Sequence, residues 1–312
     1  MKNKASKYFR LIGIIIFIGI LFKIDIKGAS RILKDINLEF YSLALIFAIS
    51  VFFISSMRWF YFLRSQNINY PFFSAVLVNQ TSQFIAFISP GRIGELIKIW
   101  YLKKDINVSY AKSFMSVFIP RLIDAITLII CSILGLTILS LYERILIIFS
   151  ILAFCGTLLT IVKMTTIKDI QGDENFWVKN LLYFVREIRS IIGYKLIYVF
   201  FITLILYLFF FNFCYFISES IELGLNFTNI LFVVSVGNVL SFLPFSIAGI
   251  GTRDAAYIII LSQIGKSQEN AIIFSSLVFI SFYFLGGLLG FISYLIKPIE
   301  IRKFDINWSF FE

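Results

Sequence analysis

Long apolar blocks, separated by short charged segments, set the pattern of this chain. A helix needs about 20 mostly apolar residues to cross the hydrocarbon core of a bilayer. Blocks of that kind cover residues 8–22 (short), 40–63, 113–141, 145–162, 196–217 and 271–296. Two further apolar stretches, 71–102 and 228–264, are broken near their middles by Pro, Gly and charge. The first break reads Ser89-Pro90-Gly91-Arg92-Ile93-Gly94-Glu95. The second runs from Leu243-Pro244 to Gly249-Ile250-Gly251-Thr252-Arg253-Asp254. Bare backbone cannot face lipid, so such breaks must be buried in protein or line a wet cavity. The pattern therefore predicts an all-α polytopic membrane protein with about six transmembrane helices and two re-entrant helical hairpins.

Composition removes the alternatives. Apolar residues make up 59% of the 312, and charged residues 15%, against about 25% in an ordinary soluble domain. Mean hydropathy is +0.91. A soluble globule cannot hide that much apolar surface, and disorder needs the opposite composition. There is no His, which excludes His-based triads and His-ligated zinc. Cys131, Cys155 and Cys214 sit singly in apolar runs, with no CxxC spacing. Gly265-Lys266-Ser267 lacks the upstream Gly of a P-loop, since Ile260 stands there. No metal and no cofactor is expected. The net charge of +10 points to a membrane surface rather than nucleic acid once the hydropathy is considered.

The basic residues give an orientation. With the N-terminus inside and each hairpin returning to the side it entered, 18 Lys and Arg fall inside and six outside. Four more, Arg58, Arg92, Arg121 and Arg253, lie at membrane depth. This predicts an N-in, C-in multi-pass protein of the cytoplasmic membrane. Lys23, Asp25 and Lys27 follow the first apolar run, so residues 8–22 read as a retained helix rather than a cleaved signal. The segment 23–39 reads as an interfacial helix.

The layout also repeats. Residues 1–312 form one integral membrane domain with a first half at 40–162 and a second at 196–297. Each half has a span, a broken hairpin and a span. From span start to hairpin proline is 50 residues in the first half and 48 in the second. The hairpins enter from opposite sides, which predicts an inverted-topology repeat, an arrangement of many secondary transporters. Between the halves, residues 163–195 place Trp177, Leu181, Phe184, Ile188 and Ile192 at helical spacing. This reads either as a cytoplasmic amphipathic helix or as a plain linker.

Ionisable groups at membrane depth are functional candidates by default. Gly91, Arg92, Gly94 and Glu95, with Lys98 one turn on, place a guanidinium beside a helix start, a natural phosphate cradle. The structural alternative is that Arg92 and Glu95, three apart, neutralise each other and pin the hairpin tip. Gly249, Gly251, Arg253 and Asp254 repeat the pattern in the second hairpin, where Asp254 also suits the helix dipole. Arg121 and Asp124 share a helix face and are expected to pair as a structural dock, with Pro120 kinking or starting that helix. Asn79, Gln80, Thr81, Ser82 and Gln83 need partners or a watery groove. The Phe residues read mainly as lipid-facing, and Gly286, Gly287 and Gly290 as close helix packing.

The two breaks, together with Arg121-Leu122-Ile123-Asp124, resemble the lysylphosphatidylglycerol synthase transmembrane-region family, also called flippase-like domain proteins. The resemblance covers about residues 8–297. In that family the Arg-x-x-Asp is often preceded by Glu, where this chain has Pro120, and the last motif usually ends in Arg-Glu, here Arg253-Asp254. In the best-known members the region is fused to a soluble aminoacyl transferase domain and moves aminoacylated lipid to the outer leaflet. No such domain occurs in these 312 residues. The resemblance thus implies a stand-alone flippase for a phosphate-bearing membrane lipid, a phospholipid or a polyprenyl-linked one. Arg92 and Arg253, with Gly91, Gly94, Gly249 and Gly251, would hold the phosphate. Glu95, Asp124, Asp254 and Arg121 would balance charge or carry protons. The alternative is a lipid-binding accessory subunit of a glycosyltransferase or lipid-modifying enzyme. A membrane-embedded transferase using Glu95 or Asp254 as base ranks last, so the expectation is a non-enzyme.

Overall fold

The structure is a computed structural model, and it describes residues 36–87, 89, 92–134, 194–241 and 252–298. The expected helix at 8–22, the span at 145–162 and the linker up to 193 lie outside the described residues. So do Pro90 and Gly91 of the first break, and Pro244, Gly249 and Gly251 of the second. Every regular element among the described residues is helical. In chain order these are α1 (Leu38–Ser65), α2 (Phe72–Phe87), a 3-10 turn (Ile93–Leu96), α3 (Ile97–Ile106) and α4 (Tyr110–Leu134), followed by α5 (Tyr194–Ser220), α6 (Phe227–Ser241), α7 (Thr252–Gln263) and α8 (Gln268–Ile296).

Among the described residues, four helices are long and apolar enough to cross a membrane: α1, α4, α5 and α8. They match the spans expected at 40–63, 113–141, 196–217 and 271–296, each starting two or three residues earlier. Capping explains two of these early starts. Asn37 Oδ1 accepts the amides of Glu39 (3.0 Å) and Phe40 (3.4 Å) ahead of α1. Ser267 Oγ accepts the amide of Asn270 (3.1 Å) ahead of α8. A polar cap lies outside the apolar block, so the helix begins before the hydropathy rises. Pro120 neither starts nor ends α4 but lies within it.

The outer faces of the helices are apolar, and polar side chains are buried among apolar ones inside. Phe53, Phe201, Leu208, Leu288 and Leu295 are exposed, while Ser56, Asn79, Gln80, Thr81 and Thr203 are buried. Lipid is as apolar as Leu, so burying Leu gains little there, and small residues and hydrogen bonds do the packing. The expectation that Phe residues mainly face lipid is corrected at the centre. Phe52, Phe62, Phe213, Phe232 and Phe274 are fully buried. Phe52 and Phe282 stack with ring centroids 4.6 Å apart, and Phe210 meets Phe282 edge-on at 5.0 Å.

The halves interlock. α1 and α5 lie side by side and antiparallel. The Asn37 amide donates to the Ser220 carbonyl (2.9 Å), Phe47 meets Phe209, and Arg58 reaches Thr203. The arms of each broken unit pack on each other, α2 against the 3-10 turn and α3, and α6 against α7. Each unit's first arm also packs on the other half: α2 lies along α8 and α6 along α4.

Glycine makes that exchange close. A Cβ on Gly290 of α8 would lie 2.6 Å from the Gln80 carbonyl oxygen and 2.5 Å from Phe84 Cβ. One on Gly286 would strike the rings of Phe52 and Phe87. The expected role of these glycines in packing is therefore met. At one end of the bundle, Lys297 Nζ donates to Asp105 (2.6 Å) and to the Tyr70 hydroxyl (2.9 Å). The Tyr101 hydroxyl donates to the Lys297 carbonyl (2.7 Å). Burial, and then the hydrogen bond to Asp105, push the Tyr70 phenol well above its ordinary range.

Replacement of Gly290 by Ala should separate α8 from α2. Because backbone rather than a flexible side chain stands in the way, the expected cost is about 1–3 kcal/mol. Thermal unfolding of the detergent-purified protein should show a lower midpoint. An unchanged midpoint would refute the close contact.

Candidate functional site

The first break places its side chains by an unusual backbone. Arg92 adopts a left-handed conformation (φ 58°) just before the 3-10 turn. A non-glycine residue there costs on the order of 1–3 kcal/mol, and such strain clusters at functional sites. Ser89 closes the loop, its Oγ accepting the Gly94 amide at 2.8 Å. A Cβ on Gly94 would lie 2.5 Å from the Ile85 carbonyl, so only glycine lets the turn seat on α2. That fit drives Glu95 into the bundle, where it is 6% exposed.

Two carboxylates organise the cations around them. Glu95 takes the Arg121 guanidinium, with Nε donating to Oε2 at 2.8 Å, and stands 3.7 Å from Arg92. Asp124, 2% exposed, pairs with Arg58 through both carboxylate oxygens. Arg58 also donates to Thr203 Oγ1 at 3.2 Å. Both expected local pairs exist, but only as looser contacts. Arg92 lies 3.7 Å from Glu95, and Arg121 lies 3.7 Å from Asp124. The tighter partners come from other helices, because an i, i+3 pair on one helix seldom meets as squarely as side chains converging from two. Sequence reasoning placed Arg58 at membrane depth but left it out of the candidate site and gave it no partner. A lone Arg inside the apolar block 40–63 was the available signal.

The second unit brings Arg253 to the same place. It sits in the first turn of α7, 3% exposed, with Asp254 at 3.1 Å. Asp254 also accepts from Ser275 of α8. The guanidinium packs over the rings of Phe279 (5.4 Å) and Tyr283 (5.6 Å). Tyr283 meets Phe87 at a tilt of 49° with ring centroids 4.4 Å apart, and Phe87 carries Arg92 on its own face at 5.6 Å. One aromatic wall thus joins the two arginines expected to hold a phosphate.

Between them lies a cavity of about 100 Å³. Its lining includes Arg58, Arg92, Lys98, Arg121 and Arg253, with Glu95 and Asp124. Asn79 and Gln83 from α2 and Asn238 from α6 add polar walls. The expected need of the 79–83 run for partners is met largely by α1. Asn79 Nδ2 reaches Ser55 and Ser56 Oγ (both 3.2 Å), Gln80 Nε2 reaches Ser56 (2.9 Å) and Gln83 Nε2 reaches Ser55 (2.8 Å). Among the described residues no group of carboxylates and cysteines could hold a metal ion. A small, strongly cationic, partly polar chamber inside a bundle with apolar outer faces can bind an anion.

The Arg58–Asp124 pair can be tested directly. Arg58→Gln leaves a buried carboxylate short of its main partner, with an expected loss of about 3–5 kcal/mol, whereas Arg58→Met with Asp124→Leu should recover most of it. Thermal unfolding of the three proteins measures the difference. Equal destabilisation by the single and double changes would refute the pairing.

Comparison with known proteins finds membrane-protein relatives. A UPF0104 membrane protein, PH1989, from Pyrococcus horikoshii is 31% identical over 191 residues, covering 59% of this chain and 56% of that protein. Another, MJ1595 from Methanocaldococcus jannaschii, is 25% identical over 97% of this chain and 98% of its own length. The lysylphosphatidylglycerol synthase TM region matches residues 10–290, a stretch that contains the first break, the Arg121–Asp124 helix, Arg253, the long apolar helices α1, α4 and α5, and α8 up to residue 290. The chain belongs to the lysylphosphatidylglycerol synthase TM region family.

Proposed function

We propose that this protein moves a phosphate-bearing lipid between the leaflets of the cell membrane. The observation that carries the reading is the cavity. Among the described residues, five cations line it against two carboxylates, deep between helices whose outer faces are apolar. Buried cations without counter-charge are costly, so a site of this kind is stable only when an anion visits it or water enters. The family adds that the region is the membrane part of a lipid-linked system. Arg92 and Arg253 hold the phosphate from either side of the Phe87–Tyr283 wall, and Glu95 and Asp124 keep the remaining arginines in place.

On this reading the two broken units enter the membrane from opposite sides as re-entrant hairpins, with both termini cytoplasmic. The antiparallel pairing of α1 with α5, and the exchange of α2 and α6 between halves, support an inverted-topology repeat. The acyl or prenyl chain stays in lipid while the headgroup passes through the chamber.

Reconstitution into liposomes with fluorescent phospholipid or polyprenyl phosphate, followed by quenching of the outer leaflet, tests the proposal. The protein should speed exchange over protein-free liposomes. Arg92→Ala and Arg253→Ala should each lower the rate by about tenfold or more, the effect of losing a charge-assisted hydrogen bond. Exchange no faster than in empty liposomes would overturn the proposal.

A further inference from the structure

The cavity carries more positive charge than its two arginine–carboxylate pairs explain. Asp124 answers Arg58, and Glu95 answers Arg121 with Arg92 at its edge. Arg253 has Asp254, which stands behind it and outside the lining. Lys98 is different. It is 7% exposed, and its ammonium rests on the Trp59 ring at 5.0 Å. Among the described residues it has neither a hydrogen-bond acceptor nor a carboxylate within salt-bridge distance. Two further donors are idle: Arg92 Nε and Arg253 Nε are both buried without an acceptor.

Among the described residues, five lining cations face two carboxylates, an excess of three, and adding Asp254 still leaves two. An isolated buried ammonium costs several kcal/mol, and a ring face offsets only about 0.5–2 kcal/mol of that. A phosphodiester brings one negative charge, and a terminal monophosphate about one and a half to two, but on a single phosphorus. A diphosphate bridging two groups brings two, and its oxygens spread over a longer span. A single ammonium in the headgroup would offset its phosphodiester charge and leave the excess uncancelled.

We infer that the chamber is built for a diphosphate group, with Lys98 as the cation that distinguishes it from a monophosphate. Resting on the lipid-translocation reading above, this names the substrate class of the same site. Arg92 and Arg253, both in the lining, grip the group through their guanidinium groups, and Lys98 answers the second phosphate. The ligand is then a prenyl or other lipid diphosphate, or a soluble diphosphate with the same chemistry.

The full chain in phosphatidylcholine nanodiscs can be titrated with farnesyl diphosphate, farnesyl monophosphate and farnesol, which hold the chain constant. Inorganic pyrophosphate and inorganic phosphate serve as soluble counterparts. Wild type should bind farnesyl diphosphate about tenfold or more tighter than the monophosphate, the worth of one extra charged contact. Lys98→Gln should lose that preference while still binding both, and Lys98→Arg should regain it. This rescue separates a charge effect from a folding defect. Equal affinity for the two phosphates in wild type, or an undiminished preference in Lys98→Gln, overturns the inference. If those results come with lipid exchange intact, only the diphosphate inference is lost. Inorganic pyrophosphate binding as tightly as farnesyl diphosphate supports the diphosphate site but assigns it a soluble ligand, and so removes the lipid reading.

Discussion

Asp124 sits where α1, α4 and α5 meet, and its pair with Arg58 is the contact on which their arrangement rests. In water such a pair is worth little, since each ion is solvated without the other. In a bundle with apolar outer faces the alternative to pairing is a bare charge, so the cost of error rather than the strength of the bond fixes the geometry. α1 and α5 are otherwise joined mainly by interchangeable aromatic contacts. Arg58, reaching both Asp124 and Thr203, selects one register among several that Phe side chains would tolerate.

The second consequence is that neither half can build the site alone. α2 packs on α8 and α6 on α4, so each broken unit is seated by the other half's long helix. The aromatic wall crosses the same boundary. Phe87 belongs to the first unit and Tyr283 to the second half, and each stacks one arginine. A shift of one half against the other would therefore move Arg92 relative to Arg253 without unfolding either. That is the kind of motion a carrier needs, and glycine contacts such as Gly290 on Gln80 leave the backbones close enough to slide as surfaces rather than as interlocked side chains.

Much of this was legible in the residues. Apolar blocks located the four described spans because membrane helices must satisfy their own backbone and can be apolar all round. The breaks were legible because Pro and Gly with charge at depth have few structural excuses. Gly94 and Glu95 were found for that reason, and Gly286 and Gly290 because small residues are how membrane helices meet. Partner choice was not legible. The i, i+3 rule matched Arg121 with Asp124 and Arg92 with Glu95, but side-chain pairing across helices depends on rotation about each axis, which hydropathy leaves open. Arg58 was hidden for the same cause: one Arg in an apolar block announces a partner without saying where it is. The buried Phe cluster was misjudged because composition cannot tell a ring facing lipid from a ring facing other rings.

The charge excess bears on how such a chamber would release what it takes. Losing an anion would restore an uncompensated field, so the empty state must be balanced by something already present. Asp254 is placed for that role. Its side chain is 32% exposed against 4% for Arg253, and it contacts both that guanidinium and Ser275. A carboxylate with one face to the outside can strengthen its hold on Arg253 as the ligand leaves, at little desolvation cost. Lys98 has no such neighbour among the described residues. On the proposed reading the two cations therefore differ in kind. Arg253 exchanges its partner for the headgroup and back again, and Lys98 gains a partner only when the headgroup arrives. Release would then be set by how readily Lys98 gives up its one counter-charge, which places the energetic weight of the cycle on the first hairpin.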